Sequence, residues 1–132
     1  MFKPGSLAQH FNNPSQEELN QRAAYLGLSD IVEQLQDGFN QHVPWNGEIN
    51  LSKSELQRLA LLDLTLNTPV IVILDEATSE LNRADEVQLI QKLISALPNT
   101  LFFIITHNPE LSALGNRNFN FNHEKRLVEK TA

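Results

Sequence analysis

The chain has 132 residues, enough for one domain or part of one. Ten Lys+Arg against sixteen Asp+Glu leave a formal charge of −6, which excludes a basic footprint for nucleic acid or an anionic membrane. Cysteine is absent, which excludes a disulfide framework and a thiolate metal site and suits a cytoplasmic setting. With 41% hydrophobic and 20% charged residues, the composition is that of a packed domain and not of a disordered chain.

The first third reads as short helices. Ser15 is a helix cap that Glu18, three residues on, can answer; Leu19, Ala23 and Leu26 then recur at helical spacing up to Gly27. Residues 28–35 predict one more short helix with Ile31, Val32 and Leu35 inward, and Asp37-Gly38 turns the chain into an irregular stretch over residues 39–50. A longer, Leu-rich helix is expected from Ser52 to about Asn67. No apolar run approaches the roughly 20 residues that span a bilayer, and residues 1–16 hold no apolar signal core. Any membrane connection is therefore expected to run through a partner or a further segment.

After Pro69, residues 70–74 are a continuous β-branched run of the kind covered on both faces in a parallel sheet, with Asp75 and Glu76 at its carboxyl end. A helix over residues 83–97 follows, capped by Asn82 with Asp85 and Glu86 in its first turn, where acids suit the helix dipole. Residues 101–105 are a second apolar strand, ending in Thr106-His107. Strand, helix and strand predict a βαβ unit with a right-handed crossover. Asn108-Pro109 starts a short helix that Gly115 can close, and residues 117–129 resemble a small hairpin turning at residues 122–125. The expected fold is α/β: a parallel-sheet core, residues 67–132, preceded by a helical subdomain, residues 1–66, that carries a loop and helix.

In open parallel sheets ligands sit beyond the carboxyl ends of the strands. An apolar strand ending in an acid pair is the Walker B pattern: the first acid holds Mg²⁺ and the second orients and deprotonates a water attacking the γ-phosphate of ATP. A neutral His on the next strand can donate to that phosphate. Taken singly, Asp75 is equally at home as a turn cap and His107 as a loop histidine. His10, His42 and His123 have no ligand-like spacing and read as surface residues. Trp45, in the irregular stretch, suits either a partner contact or half-buried packing.

The wider strings resemble the ATP-binding cassette family. Leu74-Asp75-Glu76-Ala77-Thr78-Ser79-Glu80-Leu81-Asn82 is similar to its Walker B and D-loop, Leu51-Ser52-Lys53-Ser54-Glu55 and the residues after it to its signature loop and helix, and Ile105-Thr106-His107 to its switch-histidine segment. The flanks extend the likeness to the exporter-type branch: residues 2–7 are similar to the segment after its Q-loop, 27–39 to its helical subdomain and 126–129 to its closing strand. The resemblance implies a partial P-loop NTPase core. It assigns Asp75 to Mg²⁺, Glu76 to the attacking water, His107 to the γ-phosphate, and Ser52, Lys53, Ser54, Glu55 and Asn82 to nucleotide held by an opposing ATP-binding domain. It also implies a membrane-spanning partner domain and a place at the cytoplasmic face of a membrane.

This sequence departs from the family in three ways. Lys53 and Ser54 replace the two glycines of Leu-Ser-Gly-Gly-Gln, which let backbone approach phosphate. Ser52 and Glu55 also read as an ordinary capping box. Asn82 stands where the D-loop carries Asp. None of the five glycines precedes a lysine, so the 132 residues hold no Gly-x-x-x-x-Gly-Lys-Ser/Thr loop to cradle phosphates. Three functions stay open: the C-terminal part of an exporter's ATP-binding domain, a non-catalytic remnant that docks on a partner, and an unrelated α/β binding module. In the family the strand leading into the phosphate loop lies beside the one that corresponds to residues 101–105; without it that strand is expected to be an open apolar edge, and the isolated chain to self-associate or need a partner.

Overall fold

A computed structural model describes residues 5–35, 37–43 and 49–130. Trp45 and residues 2–4 lie outside the described residues. The chain opens with a two-residue strand β1 (Gly5–Ser6) and a turn of helix α1 (Leu7–His10) that composition alone does not announce. Ser6 and Gln9 form a reciprocal capping box there, with Gln9 N donating to Ser6 Oγ at 3.2 Å and Ser6 N to Gln9 Oε1 at 3.0 Å. β1 pairs antiparallel with β2 (His42–Val43), inside the stretch expected to be irregular. A 3₁₀ turn (Gly38–Asn40) just before β2 buries Phe39 completely, its ring edge-on to Phe11 at 6.2 Å.

Helix α2 (Gln16–Tyr25) starts at Ser15, whose Oγ accepts from Glu18 N at 3.1 Å. Glu18 does not answer; its carboxylate takes Arg22 instead, at 3.0 and 3.2 Å. Arg22 also donates to the carbonyl of Thr65, tying α2 to the end of the long helix over residues 53–67. Gly27 ends α2 with a φ of 75°, while Leu28 N donates to Ala23 O and Gly27 N to Ala24 O. That is the double bond of a Schellman stop, which needs a residue at ease with positive φ. Helix α3 (Ser29–Gln34) follows, with Ile31 buried.

Helix α4 (Lys53–Asn67) leads to β3 (Ile71–Asp75), helix α5 (Arg83–Ala96) and β4 (Leu101–Ile105). β3 and β4 pair in parallel, Ile71 against Leu101 through Asp75 against Ile105, so the βαβ unit forms as expected. α6 (Pro109–Ser112) and an antiparallel hairpin, β5 (Phe119–Phe121) with β6 (Leu127–Glu129), complete the chain. The buried apolar residues form one cluster that runs from Leu7 through α2, α4, β3 and α5 to Leu111. No helix among the described residues is long and apolar enough to cross a membrane.

One expectation is overturned. The β3–β4 sheet is covered on one face only: Val72 and Leu74 are buried, whereas Ile73 is 68% and Phe103 54% exposed, with Ile71, Leu101 and Ile105 beside them. The reason is local. A strand pair this narrow has one crossover helix, α5, and a single helix covers a single face. The outward apolar residues are bare because no described element packs on them.

Candidate functional site

β3 ends at Asp75, and its ladder runs one residue further through Glu76 N, which donates to Ile105 O at 3.0 Å. Glu76 then takes a φ of 50°, the left-handed region that a non-glycine residue adopts at a cost. This turn ends the strand beside the end of β4. Glu76 Oε1 stands 2.9 Å from His107 Nε2. The imidazole is 94% exposed and the carboxylate 42%, so the pair stands at an open rim and not in a pocket. Two surface hollows, of about 390 and 510 Å³, lie among residues of α2, α5 and their neighbours and include neither residue.

Asp75 lies on the bare face of the sheet, in register with Ile105. Its carboxylate is exposed and takes no hydrogen bond or ion pair from another described side chain. No three His, Cys, Asp or Glu gather to hold a metal among the described residues. The donor chemistry nonetheless suits Mg²⁺, a hard ion that commonly takes one or two carboxylates and completes its shell with phosphate oxygens and water. Asp75, Glu76 and His107 are thus brought to one sheet end.

The other candidate residues are occupied within their own elements. Ser52 caps α4, its Oγ accepting from Glu55 N at 3.2 Å, with Ser54 Oγ at 3.3 Å. The expected return bond from Glu55 is absent among the described residues, and Glu55 Oε2 is buried without a partner. Lys53 Nζ sits 3.1 Å from Glu80 Oε1, which joins the start of α4 to the turn after Glu76. Both groups are well exposed, so the pair is worth at most about 1 kcal/mol. Asn82 caps α5 with Oδ1 accepting from Asp85 N at 2.9 Å, and its amide donates to Asp85 Oδ2 at 2.6 Å.

One residue of this region escapes a reading by composition. Glu86 is 6% exposed, and its two oxygens accept from Thr78 Oγ1 at 2.7 Å and from Asn108 Nδ2 at 2.9 Å. The dipole argument placed it in the first turn of α5 and said nothing of its burial. The signal that finds it is its place in the stripe of Leu89, Ile90 and Leu93: a charged residue in a buried helical stripe needs partners.

No protein-family model matches the chain. Among characterised proteins it is similar to the glutathione/L-cysteine transport system ATP-binding/permease protein CydD of Bacillus subtilis, 34% identical over 71% of the chain and 16% of that protein. It is 33% identical to the β-(1→2)glucan export ATP-binding/permease protein NdvA of Rhizobium johnstonii, over 70% of the chain and 16% of that protein. To the α-hemolysin translocation ATP-binding protein HlyB of Escherichia coli O157:H7 it is 32% identical, over 79% of the chain and 14% of that protein. The chain therefore spans 14–16% of the length of these relatives. With transport ATP-binding/permease proteins matching along most of its length, the chain is a relative of the ATP-binding cassette exporters and corresponds to a piece of their ATP-binding part.

Proposed function

We propose that the chain supplies the magnesium- and water-handling side of an ATP-cleaving site in an exporter's ATP-binding domain, built on a P-loop NTPase core. In this reading residues 1–66 are the helical subdomain with its signature loop, residues 67–132 the C-terminal part of the α/β core, and the phosphate-cradling loop comes from a segment beyond these residues. The supporting observation is the convergence of Asp75, Glu76 and His107 at the carboxyl end of two parallel strands, with Glu76 and His107 2.9 Å apart.

When bound, Mg²⁺–ATP supplies a γ-phosphoryl group whose charge the cation helps to neutralise. Asp75 would be the carboxylate that holds the cation. Glu76 would take a proton from a water onto Oε1 or Oε2, the general-base role, for which an exposed carboxylate at the strand end is suitably placed. His107, whose Nε2 lies 2.9 Å from Glu76 Oε1, would donate a hydrogen bond to the γ-phosphate as its charge builds. Ser52, Lys53, Ser54, Glu55 and Asn82 would meet nucleotide on an opposing ATP-binding domain, and transport would follow through a membrane-spanning partner. The segment would then work at the cytoplasmic face of a membrane.

A second reading, a non-catalytic docking remnant, is favoured by one feature. Lys53 is neutralised by Glu80 and Asn82 is spent on its own cap, so the face expected to meet an opposing nucleotide is engaged internally. The two readings separate in an ATP-binding domain completed with the phosphate-cradling segment of a relative. There His107→Ala is expected to lower kcat about 10²–10³-fold, the usual loss for one phosphate-directed donor, with ATP binding retained. Absence of turnover in the completed, folded domain before any substitution supports the remnant.

A further inference from the structure

Two segments must hold their places for Glu76 and His107 to meet: the turn after β3 and the turn after β4. Backbone bonds from Glu76 N to Ile105 O and from Ser79 N to Glu76 O tie the first turn, but they do not hold the two side chains. Glu76 is in a strained left-handed conformation, and the His107 side chain stands almost wholly in solvent. The two turns are joined elsewhere, by the buried carboxylate on α5. Thr78, two residues after Glu76, donates to Glu86 Oε1, and Asn108, the residue after His107, donates to Glu86 Oε2. All three side chains are buried.

Asn108 is fixed on its other sides as well. Its Oδ1 accepts from Glu110 N at 3.0 Å and its backbone N–H donates to Thr106 Oγ1 at 3.0 Å. Its Nδ2 also reaches Arg83 O at 3.5 Å. His107 is thus flanked by two residues locked to one network, and the network's centre is anchored to α5. Buried hydrogen bonds to a carboxylate are short, directional and costly to leave unmade, which makes this a stiff link.

We propose that Glu86 is a positioning residue: its carboxylate clamps the turn carrying Glu76 to the turn carrying His107 and so sets the distance between the two reacting groups. The role rests on the reading of Glu76 and His107 as a working pair, but its geometry does not require nucleotide. Both oxygens are used, one for each turn, so the clamp depends on an acceptor pair of this length and not on bulk. Gln has that length. It accepts from Asn108 through its oxygen and donates to the Thr78 hydroxyl, which then accepts, and so it keeps both turns tied.

The test uses the full chain without nucleotide and follows the ¹⁵N signal of His107 Nε2, which senses the Glu76 carboxylate 2.9 Å away. Glu76→Ala defines the position of the unpaired imidazole. Glu86→Ala is expected to shift the signal toward that position, and Glu86→Gln to leave it near the wild-type position. Thr78→Val, which keeps the shape and cuts one arm, is expected to give a partial shift and serves where Glu86→Ala fails to fold. Leu93→Ala, on the same buried stripe of α5, is expected to lower the melting temperature without moving the signal. The clamp is overturned if Thr78→Val and Glu86→Ala leave the signal in place. It is equally overturned if Glu86→Gln moves it as far as Glu86→Ala, or if Leu93→Ala moves it as much. If the signal behaves as expected while Glu76→Gln keeps full hydrolysis in the completed domain, the clamp stands and the catalytic reading falls.

Discussion

At Glu76 the backbone and the side chain are under opposite demands. A left-handed φ costs a residue with a Cβ about 1–2 kcal/mol relative to the right-handed region, and glycine is the residue that avoids it. The chain nonetheless places a carboxylate there, 2.9 Å from the His107 imidazole. Glu76→Gly is therefore expected to unfold later than Glu76→Ala by about 1 kcal/mol, since both lose the carboxylate and only Gly relieves the strain. Equal denaturant midpoints for the two variants would remove the strain argument. Asp75 shares the strand end without the strain, and its carboxylate takes no partner among the described side chains.

At the scale of elements, the C-terminal hairpin is the clearest case of side chains setting local structure. Asn122 Oδ1 accepts from the amides of Glu124 at 3.0 Å and Arg126 at 2.9 Å, which folds the turn that Lys125 completes at a φ of 59°. At the open end Arg117 meets Glu129 with two parallel bonds, 2.9 and 3.1 Å, and lies over the Phe119 ring at 5.1 Å. The Arg117 hydrogen bonds, with its charge, hold the Glu129 carboxyl below its usual range and raise the guanidinium in return. A depressed carboxyl favours the folded hairpin above its ordinary pKa and loses that preference as pH falls through the lowered one. Following Glu129 by ¹³C NMR should therefore give a midpoint below about 4.3, returning to it in Arg117→Ala; an unchanged midpoint in the variant would dissociate the shift from this pair.

The same scale explains what could be read in advance. Period and punctuation sufficed for α2, α3, α4, β3, α5, β4, α6 and the hairpin, because each is bounded by a cap or a breaker: Ser15 and Gly27, Ser52, Pro69, Asn82, Asn108-Pro109. They failed at β1 and β2, of two residues each, which owe their form to pairing with one another, and at α1, four residues held by the capping box of Ser6 and Gln9. Capping boxes at Ser15 and Ser52 closed on one side only, because Glu18 found Arg22 and Glu55 did not turn back. In the candidate site the acid pair and the histidine were legible as strand ends. Glu86 was not, because its role depends on Thr78 and Asn108, eight and twenty-two residues away.

The molecule as a whole is lopsided. One face of the β3–β4 sheet is packed and the other shows Ile71, Ile73, Leu101, Phe103 and Ile105 in a row that ends at Asp75. Both outer edges of the pair are open among the described residues. Contiguous apolar faces with free strand edges promote association. The isolated chain is accordingly expected to self-associate, and Phe103→Lys to reduce that association in sedimentation velocity with little loss of melting temperature, since the ring is half exposed. A wild-type chain that sediments as a monomer at all concentrations would contradict the expectation.

The claim on which the functional account turns is that Glu76 takes the proton of the attacking water. The direct measurement compares ATP hydrolysis and ATP binding by wild-type and Glu76→Gln forms of the domain completed with a relative's phosphate-cradling segment. Gln keeps the size and a hydrogen bond but cannot take up a proton at neutral pH. Turnover is expected to fall by about 10²–10⁴-fold, with ATP affinity unchanged. Turnover equal to wild type would show that the water is activated elsewhere and would contradict the role assigned to this strand end.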